Sequence, residues 1–298
     1  MTLSFIVCTR NGADRLKGTL GSIAAAVRDV ADVELVVVDN GSQDATPALL
    51  AAWREQAPLP VTLVHEPRPG LAGARNAGIA AARGGILAFT DDDCRLGPGY
   101  AATLLARYAD DDRPVIRGGR VELGDPRDLP FTIKTDMEPA VYDGLAHPGG
   151  FIHGCNMALR RDVIDRIGLF DPGFGAGAPF KAAEDTEYVY RAHRAGIRIE
   201  YVPDCLVYHH HGRRQQEDIL RLSRIYAEGN GALYAKYLRD SRLLRHLYWD
   251  MKGCVRELFG GAPMDRSLGF TYRSNVAGCL TGMARYARSA LGAPRSVA

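Results

Sequence analysis

Residues 86–94 read ILAFTDDDC, an apolar run that ends in three consecutive aspartates. The first five residues have the composition of a buried β-strand. Carboxylates as close as those of Asp91, Asp92 and Asp93 repel one another, and exclusion of water strengthens the repulsion. Two interpretations follow: a solvated acidic loop in which one aspartate caps a helix, or a cation site that also faces a ligand.

Strands and helices alternate along the first hundred residues. Apolar runs predict buried strands at 3–7, 33–38, 61–64 and 86–90, and an alanine-rich segment predicts a helix at 71–83. Because the strands are apolar throughout, they predict a mostly parallel sheet with helices on both faces, which is an α/β class. Ligands of such sheets bind at the carboxyl ends of the strands.

Polar residues follow three of these strands directly. The three stretches are CTRN at 8–11, DNGS at 39–42 and DDD at 91–93. A single polar strand end carries little information, but three on one edge of a sheet favour a nucleotide-type pocket.

The regular pattern weakens after the fourth strand. Glycine and proline at 124–150 predict a long loop or lid. The remaining expected elements are strands at 115–123 (broken at 118–119), 151–159 and 197–202, helices at 98–109, 161–167 and 184–195, and helices from 215 onward interrupted at 229–231 and 260–263.

Charge is unevenly distributed over a chain whose net charge is only +2. From His211 onward fifteen basic residues stand against seven acidic ones, so this segment is basic and the rest is acidic. A basic segment suits an anionic membrane surface or a phosphorylated acceptor, although a solvated helical surface is the commoner explanation.

The cysteines and the amino terminus indicate an intracellular setting. None of the six cysteines forms a CxxC pair, so we expect reduced thiols in a cytoplasmic protein. The opening MTLSFIVCTRNG lacks the features of a signal peptide, and no apolar run has the length of a membrane span. We expect no nucleic-acid partner.

The D-x-D of residues 91–93 suits a hard cation such as Mg²⁺ or Mn²⁺, which prefers oxygen ligands. A phosphatase with a D-x-D nucleophile would carry it after the first strand, whereas here it follows the fourth. A dinucleotide oxidoreductase is disfavoured because no G-x-G-x-x-G follows the first strand.

Four stretches in order resemble the family 2 nucleotide-sugar glycosyltransferases, whose fold is GT-A and Rossmann-like. They are SFIVCTRNG, ELVVVDNGSQDAT, GLAGARNAGIAAARGGILAFTDDDC, and GCNMALRRDVIDRIGLFD with AAEDTEYVYRAHRAG. The resemblance covers residues 3 to 210. It implies a catalytic domain at 1–214, with a nucleotide-sugar part (1–120) and an acceptor part (121–214), followed by a helical extension at 215–298.

The resemblance implies nucleotide-sugar contacts from the strand ends and the helix that follows. The implied residues are Thr9, Arg10, Asn11, Asp39, Gly70, Arg75, Asp91 and Asp92. Gly70 would allow close backbone approach, and Arg75 would reach the nucleotide or the diphosphate. Asp91 would contact the ribose and support the metal, whereas Asp93 would ligate it directly.

On the acceptor side the resemblance makes Asp185 the catalytic base, with Glu184 and Asn156 beside the acceptor. From spacing alone, Asp185 is equally an ordinary acidic residue in the first turn of a helix. Asn156 would anchor either backbone groups or sugar hydroxyls.

Three histidines at 209–211 lie where family members often supply a further metal ligand. On an extended chain His209 and His211 share a face, with His210 opposite. We choose His209 first and His211 second as metal ligands; a flexible lid is the competing interpretation.

These expectations combine into a Mn²⁺- or Mg²⁺-dependent inverting glycosyltransferase. The expected donor is a nucleoside diphosphate sugar, UDP first, with dTDP or GDP as alternatives, and the acceptor is a glycan or a lipid-linked saccharide. The alternative is an inactive glycan-binding protein of the same fold. The apolar faces of the C-terminal helices would dock on the catalytic domain or a partner chain, including a second copy in a homodimer, or lie peripherally on the inner membrane face.

Overall fold

A computed structural model describes residues 2–109 and 111–292. The chain forms two compact units. The first, termed here the catalytic unit, comprises Met1–Pro172 and Glu184–Gly212, and the second, the helical unit, comprises Gly173–Ala183 and Arg213–Ala298. The predicted division into a catalytic domain at 1–214 and an extension at 215–298 did not include the glycine-rich stretch Gly173–Ala183 in the helical unit.

The amino-terminal half of the catalytic unit is a parallel sheet with the strand order β3-β2-β1-β4. Its elements are β1 Leu3–Thr9, α1 Leu16–Ala26, β2 Val33–Asp39, α2 Thr46–Arg54, β3 Val61–His65, α3 Leu71–Ala81 and β4 Ile86–Asp91. All four strands lie where the apolar runs predicted them, each extended by one or two residues into its polar end.

The other half of the sheet is mixed, and it continues the order as β4-β8-β6-β9-β5, with β7 also paired to β9. Its elements are β5 Cys94–Leu96, α4 Tyr100–Tyr108, β6 Val115–Leu123, β7 Ala140–Val141, α5 Pro148–Phe151, a 3-10 turn Gly154–Asn156, β8 Met157–Arg160, α6 Asp162–Ile167, α7 Glu184–Arg194 and β9 Arg198–His209. The strand predicted at 151–159 is therefore only a short β8 preceded by two helical turns. The strand predicted at 197–202 continues to His209.

Helices cover both faces of the sheet, as the apolar strands predicted. Alternate residues of β1 separate into two cores: Phe5 packs with residues of α1, α2 and α4, whereas Ile6 packs with residues of α3, α6 and α7. The helices contribute fully buried side chains to each core, such as Leu20 of α1 on one face and Val189 of α7 on the other. This burial on both faces explains why the strands are apolar throughout.

Strand β6 runs through the two glycines that were expected to break it. Its pairing with β9 shifts register after Gly119. A Cβ at Gly119 would overlap the carbonyl oxygen of Cys205 and lie 2.6 Å from Nδ2 of Asn156. The glycine thus permits close approach of backbone and turn, and the strand continues.

The described residues of the helical unit form three helices. They are α8 Gln216–Lys236, α9 Ser241–Leu258 and α10 Tyr272–Gly292. The predicted interruption at 229–231 is wrong, because α8 is continuous there and its glycines admit close neighbours: a Cβ at Gly231 would overlap the carbonyl of Cys279 in α10. None of the helices within the described ranges combines the length and apolar content needed to cross a bilayer.

Candidate active site

The three polar strand ends meet at one edge of the parallel sheet. Thr9 at the end of β1 is in register with Asp39 of β2, and Cys8 is in register with Asp91 of β4. The convergence predicted from the sequence is thus present in the fold. It places the three polar loops at the carboxyl edge of the parallel strands, where ligands of α/β proteins bind.

Asp92 points back into the fold and ties β4 to the start of the chain. Its carboxylate accepts hydrogen bonds from the Thr9 hydroxyl at 2.6 Å and from the Arg15 guanidinium at 2.9 Å and 3.2 Å. Its backbone carbonyl accepts one from Thr19. Thr9 and Asp92 therefore have a supporting role in the fold, and their predicted contacts with a nucleotide stay predictions.

The loops after β1 and β2 brace each other. Asn11, in a left-handed conformation with φ of 51°, accepts a hydrogen bond from the backbone N–H of Gln43 on its side-chain oxygen, and its own backbone N–H donates to the Ser42 hydroxyl oxygen. Asp39 accepts the Ser42 N–H at 2.9 Å and lies 3.5 Å from His65. The neighbouring Arg10 is exposed, whereas Asp39 is buried with its carboxylate engaged by Ser42.

A buried amide positions the start of α3, which sequence reasoning missed. Asn40 donates to the carbonyls of Glu66 and Arg68 and accepts the N–H of Gly70. Gly70 adopts φ of 147°, and a Cβ there would meet nothing within 4 Å. Backbone conformation rather than crowding thus explains the glycine.

Arg75 lies at the centre of the site with its side chain only 3% exposed. One guanidinium nitrogen donates to Glu184 at 2.9 Å and another to Asp91 at 3.4 Å. The arginine therefore joins the carboxyl end of β4 to the start of α7. The sequence analysis predicted donor contacts at the end of β4 and acceptor contacts at the start of α7.

The carboxyls around Arg75 are harder to ionise than free ones. Burial raises the pKa of Asp91 to about 6, with Asp93 adding to the rise and Arg75 opposing it. Burial and the adjacent Asp185 raise the pKa of Glu184 to about 7, again against Arg75. Excess negative charge is concentrated here, as the opening sequence stretch predicted, and a cation would relieve it.

Asp93 and His209 form the pair best suited to hold a cation. Asp93 Oδ1 lies 3.4 Å from His209 Nε2. Burial lowers the pKa of His209, but the hydrogen bond to Asp93 outweighs it and raises this pKa to about 9. The two donor atoms can therefore share either a proton or a metal ion.

The other ring nitrogen of His209 faces Thr132. His209 Nδ1 lies 3.4 Å from both the carbonyl oxygen and the hydroxyl of Thr132. Thr132 has φ of 57°, which is rare for a β-branched residue and costs free energy. A proton on Nδ1, donated to that carbonyl, would leave Nε2 with the lone pair that a metal needs.

The remaining two histidines of 209–211 diverge as an extended chain predicts. The rings of His209 and His211 are 5.1 Å apart, on the same side. His211 Nδ1 lies 3.8 Å from Asp128, and the ring of His210 instead lies against Gly124. His209 is thus the histidine adjacent to Asp93, and metal binding by His211 stays a prediction.

Asp185 is held by backbone donors at the start of α7. Its Oδ2 accepts the N–H of Gly154 at 2.8 Å, and its Oδ1 accepts the N–H of Thr186 at 2.6 Å. The residue is half-buried, and the preceding Ala183 has φ of 71°. A left-handed alanine at this point is an outlier of the kind that accompanies functional sites.

Asn156 anchors backbone. It is 1% exposed, its amide donates to the carbonyls of Arg120 and Cys205, and its oxygen accepts the Tyr100 hydroxyl. Its hydrogen-bonding groups therefore fasten β6 to β9 across the register shift. Of the two roles predicted for it, the structure places it in backbone anchoring, and acceptor contact stays a prediction.

The structure also brings together three residues that sequence reasoning left apart. Cys94, Cys155 and His209 have ligand atoms within 4.8 Å of one another, and all three are buried. The spacing in sequence contains no CxxC or similar signal. Only the antiparallel pairing of β5 with β9, in which Cys94 faces His209, assembles the group.

Comparison with solved structures identifies the fold. The mannosyltransferase PcManGT from Pyrobaculum calidifontis, in complex with GDP-Man and Mn²⁺, superposes with a TM-score of 0.60 at 21% identity, over 98% of this chain and 76% of that one. S. aureus TarS 1-349 in complex with UDP-GlcNAc gives 0.58 at 17% identity, over 99% and 93%. The catalytic fold is thus that of the GT-A glycosyltransferases, as predicted.

Sequence relatives agree. "Putative glycosyltransferase EpsH" of Bacillus subtilis (strain 168) is 26% identical over 254 residues, covering 81% of this chain and 70% of EpsH. "Uncharacterized glycosyltransferase YfnE" of the same strain is 32% identical, covering 70% and 64%. "Succinoglycan biosynthesis protein ExoM" of Rhizobium meliloti (strain 1021) is 28% identical, covering 68% and 64%. The chain thus spans slightly less than two thirds of YfnE and ExoM.

Residues 4–168, more than half of the chain, match the family model described as "Glycosyl transferase family 2". The chain therefore belongs to glycosyl transferase family 2 and is a glycosyltransferase. The resemblance drawn from four sequence stretches is confirmed.

Proposed function

We propose that the protein transfers a sugar from a nucleoside diphosphate sugar to a hydroxyl of a glycan or lipid-linked saccharide, with inversion at the anomeric carbon. One observation carries this proposal: Arg75 bonds to Asp91 at the donor strand end and to Glu184 at the acceptor helix. A single buried cation thus couples the two halves of the site. Its charge lies where a departing diphosphate would need it.

The expected donor follows from the strand-end loops and from the neighbours. The two superposed proteins are complexes with GDP-Man and with UDP-GlcNAc, respectively. For this chain UDP is the first choice, with GDP and dTDP as alternatives. Asn11 and Asp39 would offer an amide and a carboxylate to the base or ribose, and exposed Arg10 stands beside them.

Asp93 and His209 would hold a divalent cation, Mn²⁺ or Mg²⁺, with Asp91 nearby. The donor set fits a metal because a carboxylate oxygen and a ring nitrogen face each other at 3.4 Å. When bound, the cation supplies positive charge to the diphosphate leaving group.

Asp185 would act as the general base. Its hydrogen bonds from two backbone N–H groups fix the orientation of the carboxylate, and its half-buried position keeps it within reach of a ligand. As the acceptor hydroxyl attacks the anomeric carbon, its proton passes to Asp185 while the bond to the diphosphate breaks. A single displacement of this kind inverts the anomeric centre.

Glu184 would hold Arg75 in position and would take no direct part in the reaction. Its side chain is 9% exposed and is engaged by Arg75 at 2.9 Å. Asn156 would act one step further away, because it fixes the turn whose Gly154 N–H holds Asp185.

A nucleotide panel tests the donor and metal assignments together. Thermal unfolding is measured with UDP, GDP and dTDP, each with and without Mn²⁺. We expect one diphosphate to raise the midpoint only when Mn²⁺ is present, and Asp93→Asn to abolish that increase. Stabilisation by a nucleotide that is equal with and without Mn²⁺, in both proteins, would contradict the metal assignment.

The alternative, an inactive glycan-binding protein, is tested by donor hydrolysis. Release of nucleoside diphosphate from a matching donor in the presence of Mn²⁺ supports the enzyme. Saccharide binding without turnover of UDP-, GDP- or dTDP-sugars would support the binding protein.

A further inference from the structure

A cluster of buried donor atoms adjoins the predicted catalytic metal ligands and shares His209 with them. Cys94 opens β5 and faces His209 across an antiparallel pair, and Cys155 lies in the 3-10 turn before β8. The two thiols and a ring nitrogen lie within 4.8 Å of one another. Their residues are 0%, 6% and 7% exposed, so the cluster is inside the fold.

The chemistry of the three donors differs from that of the aspartate pair. Two sulfurs and an imidazole form a soft set that selects Zn²⁺ over Mg²⁺ or Mn²⁺. The other buried cysteines, Cys205 and Cys279, belong to no such group among the residues that the structure describes. Burial alone therefore does not produce the arrangement.

Asp93 adds a fourth donor beside two of the three. Its Oδ1 lies 3.6 Å from Cys94 Sγ and 3.4 Å from His209 Nε2. Tetrahedral Zn²⁺, with bonds of about 2.3 Å to sulfur and about 2.0 Å to nitrogen or oxygen, separates such ligands by about 3.5 Å and about 3.3 Å. The observed distances from Asp93 Oδ1 to the sulfur and to the ring nitrogen match these two ligand–ligand separations.

We propose that Cys94, Cys155 and His209, completed by Asp93, bind Zn²⁺, and that zinc inhibits the enzyme by withdrawing His209 and Asp93 from the catalytic cation. Binding requires two thiolates and a neutral imidazole, so the two thiol protons and the proton that His209 shares with Asp93 are released to solvent. The zinc site stands on geometry alone, whereas the inhibition rests on the proposed function.

Cobalt is the probe for the site, because Co²⁺ bound by thiolates absorbs in the near ultraviolet. The chelator-treated full chain is titrated with Co²⁺ and then with Zn²⁺. We expect one equivalent of thiolate-to-cobalt absorption, displaced by Zn²⁺. Cys94→Ala and Cys155→Ala should lose it and weaken zinc binding by at least about tenfold, since even outer-shell changes cost about 10–100-fold.

Cys205→Ala is the matched control, because it removes a buried thiol of the same unit outside the cluster. It should retain the absorption. Absence of the band in the wild type, or its persistence in both cluster variants, would overturn the zinc site. Where an alanine variant unfolds, Cys→Ser at the same position replaces it.

Inhibition is tested by measuring Mn²⁺-dependent sugar transfer with and without added Zn²⁺. Zinc that binds stoichiometrically without lowering Mn²⁺-dependent transfer would overturn the shared-ligand part alone. Failure of the proposed function itself appears differently, as lack of transfer with every donor before any zinc is added.

A different observation, on α9 of the helical unit, carries a second inference. Four apolar side chains lie on one exposed stripe at helical spacing: Tyr248, Met251, Val255 and Leu258 are 59%, 49%, 55% and 61% exposed. Phe259, directly after the helix, is 88% exposed. Exposed apolar side chains that line up in this way mark an interaction surface.

The charges of α9 separate by face. Its acidic residues Asp250 and Glu257 bond to Asn275 and Arg273 of α10. Basic residues instead flank the apolar stripe, where Arg242, Lys252 and Arg256 are exposed. The outward side is thus apolar and cationic.

We infer that this surface of α9 binds an anionic lipid bilayer. An apolar stripe with Trp249 beside it and basic side chains alongside has the composition of an interfacial helix. A bilayer accounts for both the apolar and the cationic parts. On the proposed function, it would also bring the enzyme to a lipid-linked acceptor.

Trp249 provides the assay. The chain has two tryptophans, so Trp53→Phe leaves Trp249 as the sole fluorophore. We expect vesicles containing phosphatidylglycerol to shift its emission to the blue, and pure phosphatidylcholine vesicles to shift it far less. Lys252→Gln with Arg256→Gln should lower partitioning at least about tenfold, since each such charge is worth about 1 kcal/mol.

Leu280→Gln, at an exposed apolar position of α10, is the matched control for Leu258→Gln on the stripe. Only the latter should weaken vesicle binding. Unchanged emission with anionic vesicles would overturn the inference, as would a dimer in lipid-free solution that buries Trp249.

Discussion

The acidic loop at the end of β4 and the acidic start of α7 compensate their charge differently. In the loop, Asp92 is enclosed by side-chain donors, the Thr9 hydroxyl and the Arg15 guanidinium, and is 12% exposed. At α7, Asp185 is held by two backbone N–H groups and by the hydroxyl of the adjacent Thr186 at 3.2 Å, and it is half-buried. Asp92 thus links distant segments of the fold through side chains, whereas Asp185 is oriented mainly by backbone amides and stays partly accessible.

Arg75 connects the two regions. It bonds to the flanking Asp91 on one side and to Glu184 on the other. Each region thus contains one carboxylate paired with Arg75 and a neighbour with another task. Variants at Asp185, Arg75, Asp92 and Asp93 test this division of roles, and Glu34 supplies a buried carboxylate outside both regions.

The largest effect is expected at Asp185. Asp185→Asn keeps the shape of the side chain but cannot accept the acceptor proton, so transfer should fall by about 10²–10⁴-fold. Nucleotide affinity should stay within about twofold, because the donor contacts lie elsewhere. Transfer rates and nucleotide titrations measure the two effects.

Asp165→Asn is the control for Asp185, because Asp165 is an exposed acid in the first turn of α6 and has only a helix-dipole role. It should leave transfer unchanged. Retained transfer in Asp185→Asn would remove this residue as the base and make it another dipole group.

Arg75→Gln should destabilise the fold by about 3 kcal/mol, because it leaves the buried Glu184 carboxylate without its partner, whereas the side chain of Asp91 is 36% exposed and keeps contact with water. Urea unfolding at pH 7 measures this. The loss should shrink towards pH 5, since Asp91 and Glu184, with pKa values already raised to about 6 and about 7, become neutral and are then cheaper to bury.

Arg68→Gln serves as the comparison, since Arg68 pairs with Glu66 while its side chain is 87% exposed. It should cost no more than about 1 kcal/mol at either pH. Equal losses for both arginines would mean that the link through Arg75 contributes no more than a surface pair.

Asp92 and Asp93 are adjacent in sequence but are expected to have different roles, Asp92 in stabilising the fold and Asp93 in binding the metal. Asp92→Asn should lower the free energy of unfolding by about 1–3 kcal/mol, because its bonds to Thr9 and Arg15 weaken. Asp93→Asn should also cost stability, because it removes the partner of the buried His209 ring, but only this variant should abolish Mn²⁺-dependent nucleotide binding. Loss of Mn²⁺-dependent nucleotide binding in Asp92→Asn, with binding retained in Asp93→Asn, would make Asp92 the metal ligand and Asp93 the structural residue.

The smallest effect is expected at Glu34, a carboxylate far from any predicted chemistry. Burial opposes its ionisation, but hydrogen bonds from the Ser4 hydroxyl and from Arg83 outweigh burial and lower its pKa. A lowered folded pKa stabilises the protein fully above about pH 4.5, and that contribution is lost as the pH falls through the folded value. Glu34→Gln should therefore cost about 1 kcal/mol at pH 7.

Urea unfolding at pH 7, 5, 4 and 3 follows the difference between wild type and Glu34→Gln, which should shrink only below pH 4.5. Glu55→Gln, at a side chain 72% exposed, is the control and should change stability by less than about 1 kcal/mol throughout. A difference that stays constant down to pH 3 would contradict the stated sign.

Local patterns predicted much of the fold. Apolar runs located the four parallel strands, and the polar residues after them located the edge where they converge. The predictions failed where long-range contacts decide: α8 continues through Gly229 and Gly231 because helix neighbours fill the space, and β6 continues through Gly119 because Asn156 packs against it.

The sequence also could not predict which way the side chains of the site point. The pairing of Arg75 with both Asp91 and Glu184 spans 109 residues on one side, and the meeting of Cys94 with His209 depends on strand pairing. Thr132, which faces His209, lies in an irregular stretch without a recognisable motif.

By itself the sequence determined the α/β class, the parallel strands, the acidic strand end and the family, because these depend on local composition and on motifs in order. Only the tertiary structure decided which acid braces the fold and which faces the site. Asp92 turns towards Thr9, 83 residues earlier in the chain, and Asp93 towards His209. Chain direction and register across the sheet set those partners, and no local pattern encodes them.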